Sequence, residues 1–231
     1  MLRSWSASRW LAFVALALGS AFPLALLVLR ARFSGSFGFR FLVWNLFLAW
    51  IPLGFALVVE LGWRRQVPRW WLLVPGTGWL LFFPNAPYIV TDLIHLAPRD
   101  GTPLWYDALI LFSMAIAGLA VGFTSLRIIQ LVVAASKGPV LGWVVALGVL
   151  GLSGFGIYLG RFGRYNSWDL LSRPRTLLYD VSEVATSPFS NAKAIAVSAL
   201  FSGFLVVTYL GQVALGRLEV PERHDVDTSI G

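Results

Sequence analysis

The chain contains no cysteine. Disulfides, thiol nucleophiles and Cys-based metal sites are therefore excluded, while the redox compartment stays unread. Charge is also scarce. Asp, Glu, Lys and Arg make up 13% of the residues, against about 25% in a soluble domain. Histidine is rarer still, with His95 in the body of the chain and His224 near its end. Five stretches carry no charge at all: 10–29, 41–59, 108–126, 140–160 and 194–215. Each is about 20 residues long, or ~30 Å of helix, the thickness of a bilayer's hydrocarbon layer. A soluble fold has no use for five such runs.

What is abundant agrees with a membrane setting. The 11 Trp and 6 Tyr suit the membrane–water boundary, and Trp10, Trp44, Trp63, Trp70, Trp71, Trp105 and Trp168 stand near segment ends. The net charge of +7 would suggest nucleic acid on a soluble protein. Here the basic residues fall in short links, where they hold anionic lipid headgroups. The bilayer is the expected partner, and nucleic acid is not. Arg3 and Arg9 before an apolar run resemble a signal peptide, but the run is long and ends at Arg30 and Arg32. It reads as a retained first span.

The expected fold is an all-α, polytopic transmembrane helix bundle in one domain, 1–215. Spans are expected at about 10–29, 41–61, 70–96, 104–133, 139–160 and 193–215, with a polar, mobile tail over 216–231. The third stretch is interrupted by Pro75, Gly76 and Gly78 and broken at Pro84-Asn85-Ala86-Pro87. A broken crossing and a re-entrant segment both fit, since freed backbone groups at membrane depth must face protein or a watery cavity. Over 174–186, Leu177, Leu178, Val181, Val184 and Ala185 share one helical face opposite Asp180 and Glu183. That pattern is an interfacial helix. With six spans the Lys and Arg residues divide evenly between the two sides, so the positive-inside rule does not orient the chain. The working expectation is a multi-pass protein of the cell membrane, a bacterial inner membrane, with its N-terminus cytoplasmic. Gly118–Gly122 and Gly156–Gly160 are GxxxG spacings that let helices approach closely. Packing inside the bundle is expected of them, with a homo-oligomer or a membrane partner protein left open. No internal repeat of the transporter kind is visible.

Polar residues gather in two places. Asn85, Tyr88, Asp92 and His95 form one stripe on a helix. Asp92 and His95 can meet at i, i+3, either to hold a divalent metal or to let the imidazole act as a base. Two ligands do not make a metal site, so no metal is assigned, and the bland reading is a solvated pair. Asp107 is the third candidate catalytic carboxylate, although a helix N-terminus alone favours an acid there by roughly 0.3–1 kcal/mol. The second cluster holds Arg161, Arg164, Asn166 and Asp169. Arg161 and Arg164 at i, i+3 can clamp a phosphate or carboxylate, or simply snorkel to headgroups. With six spans, Asn45 enters from the same membrane face as both clusters. Asn45, Asn85, Tyr88, Arg161, Arg164, Asn166 and Asp169 are thus the candidates for holding an anion or substrate.

The motifs at these positions resemble a known family. Trp44-Asn45-Leu46-Phe47-Leu48-Ala49-Trp50-Ile51-Pro52 is similar to the opening motif of the membrane family called domain of unknown function 1361. So are Phe82-Phe83-Pro84-Asn85-Ala86-Pro87-Tyr88 with Thr91-Asp92 and His95, then Trp105-Tyr106-Asp107, and finally the run from Gly154 to Phe162 with Asn166-Ser167-Trp168-Asp169. The resemblance covers about 40–215. It implies a polytopic prokaryotic membrane protein and carries over no activity, cofactor or residue role.

Three functions stay open at this stage. A membrane enzyme or its partner would act on an anionic or lipid-linked substrate, with Arg161 and Arg164 holding the anion and Asp92 and His95 handling protons. A small transporter would line its path with the broken third stretch. A non-catalytic scaffold or assembly protein would use the polar motifs to lock the bundle. No cofactor is indicated.

Overall fold

The computed structural model describes residues 7–36, 38–99, 101–165, 169–187 and 190–216. Among these the chain is helical. In order come α1 (Ala7–Ser34), α2 (Arg40–Arg64), a 3-10 turn (Arg69–Leu72), α3 (Leu73–Phe82), α4 (Asn85–Tyr88), a second 3-10 segment (Ile89–His95), α5 (Leu104–Lys137), α6 (Pro139–Arg161), α7 (Asp169–Ser172), α8 (Pro174–Thr186) and α9 (Ala192–Leu215). Helices α1, α2, α5, α6 and α9 are long and apolar enough to cross a membrane. The protein is a multi-pass helical membrane bundle. Of the expected tail, 216–231, residues 217–231 lie outside the described residues.

The helices end where backbone chemistry stops them. Between α5 and α6, Gly138 takes φ +100°, a left-handed value that costs glycine little, and Pro139 then opens α6 in the first turn, where its missing N–H is not needed. Helix α5 is the axis of the bundle. Its most apolar window is 61% buried, against 11% for α1 and 17% for α9, whose remaining faces are left to lipid. Lipid tails are as apolar as these side chains, so close packing and polar links hold such helices together.

The third apolar stretch lies antiparallel along α2 from end to end. Leu72 packs by Gly62, and the Phe55 ring lies against Gly78 and 6.2 Å from that of Phe82. Further on, Asp92 meets Asn45, and the His95 ring sits 4.9 Å from that of Phe41. From Gly62 to Phe41 this covers roughly 30 Å of helix. The prolines explain the break. Neither Pro84 nor Pro87 has an N–H to give. The chain therefore leaves α3 through Phe83 N–H donating to Trp79 O, resumes with Ala86 N–H donating to Phe83 O, and runs on as 3-10 helix to His95.

Both GxxxG pairs hold this break. A Cβ on Gly118 would lie 2.9 Å from the Ala86 carbonyl oxygen, and one on Gly122 would lie 2.7 Å from the Ala86 Cβ. From the other side, a Cβ on Gly156 would come within 3.2 Å of Pro84, and one on Gly160 within 3.0 Å of the Tyr88 ring. α5 and α6 thus grip the sequence Pro84–Tyr88 between small residues. Two apolar clusters complete the interior. Phe39, Leu42, Ile89, Ile110 and Met114 pack near the α2 N-terminus. Trp79, Phe83, Phe123, Leu126, Leu150 and Tyr209 fill the other half.

Candidate functional site

Five segments end together at one end of the bundle: the α1 C-terminus, the α2 N-terminus, the broken segment's C-terminus, the α5 N-terminus and the α6 C-terminus. The centre of the polar contacts there is Arg161. Its Nη2 donates to Asp92 Oδ1 at 2.6 Å and to Thr91 Oγ1 at 2.6 Å, and its Nε donates to the same Thr91 oxygen at 2.9 Å. The guanidinium stacks over the Tyr88 ring at 4.8 Å. The second carboxylate oxygen of Asp92 accepts from Asn45 Nδ2 at 2.7 Å. Side chains on α2, the broken segment and α6 are thereby tied across 47 and 69 residues of chain. The ion pair is nearly enclosed, at 3% exposure for Asp92 and 16% for Arg161. A buried carboxylate needs such partners to stay ionised.

Asp92 and His95 form no hydrogen bond with each other among the described residues. His95 Nε2 instead lies 3.4 Å from Arg161 Nη1, where the imidazole nitrogen faces a donor. The cause is the 3-10 geometry. Residues three apart eclipse one another but are separated by ~6 Å along the axis, more than on an α-helix, and a guanidinium fits between them. No third His, Asp or Glu joins the pair among the described residues.

A cavity of about 640 Å³ opens against this network. Asn45, Asn85, Tyr88, Asp92, His95, Arg161 and Arg164 all line it. Asn85 also caps the kink, donating Nδ2 to the Phe82 carbonyl at 2.9 Å. The wall continues toward the bilayer interior through Trp44, Leu48, Leu81 and Gly156. From Phe41 to Leu48 the wall descends two turns of α2, or ~10 Å.

Arg164 reaches the cavity by an unexpected route. α6 stops at Arg161 with Phe162 as its C-cap, and Arg164 adopts φ +57°. The two arginines are therefore not neighbours on one helical face, yet both line the same space. Arg164 is exposed and makes no ion pair or hydrogen bond among the described residues. Beside it, the Tyr165 hydroxyl donates to Asp180 Oδ2 on α8 at 2.7 Å, and this bond to a carboxylate pushes the phenol above its ordinary pKa. Leu177 of α8 closes that side of the cavity.

Other expected members stand apart. Asp107 does not line the cavity. Its carboxylate is held by Arg30, Nε to Oδ1 at 2.6 Å and Nη2 to Oδ2 at 3.1 Å, at 1% and 3% exposure. This two-pronged pair ties α1 to α5 and turns both carboxylate oxygens to Arg30. Asp169 is buried at the start of α7 and accepts from Ser172 Oγ at 3.0 Å; it does not line the cavity either. Asn166 lies outside the described residues.

Arg30 and Thr91 make contacts that their sequence context does not announce. Arg30 follows directly on an uncharged run and reads as a link residue, and Thr91 is a small hydroxyl in an apolar context. The only local signal is their placement beside a run end and beside Asp92.

The chain matches the model of the family described as "Protein of unknown function (DUF1361)" over residues 44–208. That stretch contains Asn45, the whole broken segment, Asp107, Arg161 and Arg164. No curated protein and no solved structure matches the chain. The matched stretch spans most of the chain, from the start of α2 into α9, and the chain therefore belongs to this family of unknown function.

Proposed function

We propose that the cavity at the Arg161 end binds an anionic, lipid-linked substrate presented from the bilayer, and that the broken segment is the sixth membrane crossing. One observation carries the reading. A guanidinium with no partner among the described residues, Arg164, shares a cavity with a partly engaged one, Arg161, and the same cavity has an apolar wall reaching inward through Trp44, Leu48 and Leu81. Guanidiniums recognise phosphate and carboxylate oxygens through paired N–H donors. An apolar wall below them suits a tail that stays in the hydrocarbon layer. Intramembrane ionisable groups are costly and mark sites of function by default.

The far half of the bundle supports a blind site rather than a path. Trp79, Phe83, Phe123 and Leu126 pack there as a continuous apolar cluster. His95 and Asp92 flank Arg161 and are the groups positioned to hold or pass a proton once an anion arrives. Protein purified in mild detergent is expected to carry an anionic amphiphile, identified by mass spectrometry of the extracted lipid. Arg164→Gln should deplete it and Arg161→Gln/Arg164→Gln should remove it, with elution and melting profiles unchanged for the single variant. Identical lipid complements in all three proteins refute the reading.

A further inference from the structure

We propose that the bound group is a monoanionic phosphodiester headgroup, the class found in hydroxyl-bearing phospholipids, rather than a dianionic phosphate monoester. The inference rests on the anionic-amphiphile reading above and narrows it by charge. Among the described residues, the Asp, Glu, Lys and Arg side chains lining the cavity are Asp92, Arg161 and Arg164. Asp92 already neutralises one guanidinium through its 2.6 Å bond to Arg161. The surplus is a single positive charge, on Arg164. The other titratable groups on the lining, Tyr88 aside, are each turned to a neighbour. His95 turns Nε2 toward an Arg161 N–H, and the Tyr165 hydroxyl donates a hydrogen bond to Asp180, whose negative charge lies just behind the wall. A monoanion leaves such a site balanced. A dianion leaves one charge without a cation on the lining and close to the Asp92 carboxylate, which repels it.

The hydroxyl preference comes from Tyr88. Its ring is clamped between Gly160 and the Arg161 guanidinium, and its hydroxyl makes no hydrogen bond among the described residues. A headgroup alcohol beside the phosphate satisfies it. Trp44, exposed on α2 and 5.4 Å from the Phe47 ring, stands where an interfacial aromatic meets the start of the lipid chain.

The test titrates the full-length protein in mild non-ionic detergent with defined lipids, read by native mass spectrometry at pH 8.5. Phosphatidylglycerol is expected to bind tightest, and Arg164→Gln to weaken it about tenfold, the scale of a lost charge-assisted contact. Arg175→Gln, an exposed charge on α8 that does not line the cavity, is expected to change nothing. If Arg175→Gln weakens binding as much, general charge attraction explains it and the proposal falls. Tighter binding of phosphatidate, a monoester near two negative charges at that pH, overturns this inference and leaves the anionic-amphiphile site standing. Oleate binding as well as phosphatidylglycerol overturns the phosphodiester assignment alone. Glycerophosphoglycerol, the same headgroup without chains, binding equally well overturns the lipid source. Phosphatidylcholine binding equally well overturns both readings.

Discussion

Asp107→Asn removes the charge from the most enclosed ion pair described in the molecule. Asp107 and Arg30 are 1% and 3% exposed, and the carboxylate takes both prongs of the guanidinium at 2.6 and 3.1 Å. Among the described residues, the Arg30 charge that remains faces the Phe39 ring at 4.7 Å and the Ser36 carbonyl at 3.5 Å. Removing one partner of such a pair costs about 3–5 kcal/mol, because the other charge stays buried and alone. For a chain of this length ~2–4 °C is lost per kcal/mol, so melting is expected to fall by roughly 6–20 °C. Arg30→Met with Asp107→Leu removes both charges and keeps apolar volume, and should recover most of the loss. The assay is thermal unfolding of detergent-purified protein, followed by the fluorescence of its 11 tryptophans. A single variant within about 2 °C of wild type, together with a double variant worse than either single, would refute the assignment of Asp107 to holding α1 on α5.

Three further outcomes follow from the same geometry. Gly122→Val puts a side chain where a Cβ already meets the Ala86 Cβ at 2.7 Å, and is expected to cost about 1–3 kcal/mol and to empty the cavity of lipid; Gly203→Val, with open space around it, should do neither. The cysteine-free background makes accessibility labelling clean, so Gln66→Cys and Ala97→Cys, at the two ends of the broken segment, should react from opposite sides of sealed vesicles; reaction from the same side means the segment turns back. The Tyr165–Asp180 contact stabilises the protonated phenol, so its contribution is whole below the ordinary tyrosine pKa of about 10 and is lost as pH rises through the raised value. Amide exchange on α8 should speed up over that range in the wild type, and Tyr165→Phe should show the fast rate at neutral pH.

Much of the architecture was legible because it follows from local rules. A charge-free run of about 20 residues has to be a helix in lipid, since every backbone polar group must find a partner within the segment. The amphipathic period of 174–186 and the prolines at 84 and 87 likewise show in the sequence as a helix and a break. Asn45, Asp92, His95 and Arg161 are expected together provided the third stretch crosses, and they line one cavity. Their partners were not legible. Asp92 and His95 look like a dyad at i, i+3, yet the tighter 3-10 rise lets Arg161 enter between them. Asp107 looks like a site carboxylate and instead answers Arg30.

The amino-acid order alone determined that this is a multi-pass helical membrane protein with its polar residues gathered at a few segment ends, because burial in hydrocarbon penalises every charge locally. Only the tertiary structure decided which cation Asp92 and Asp107 meet and that Arg164 lines the cavity with no ion pair among the described residues. Those outcomes depend on where α5 and α6 pinch the broken segment, and contacts across 69 and 77 residues of chain leave no local trace in sequence.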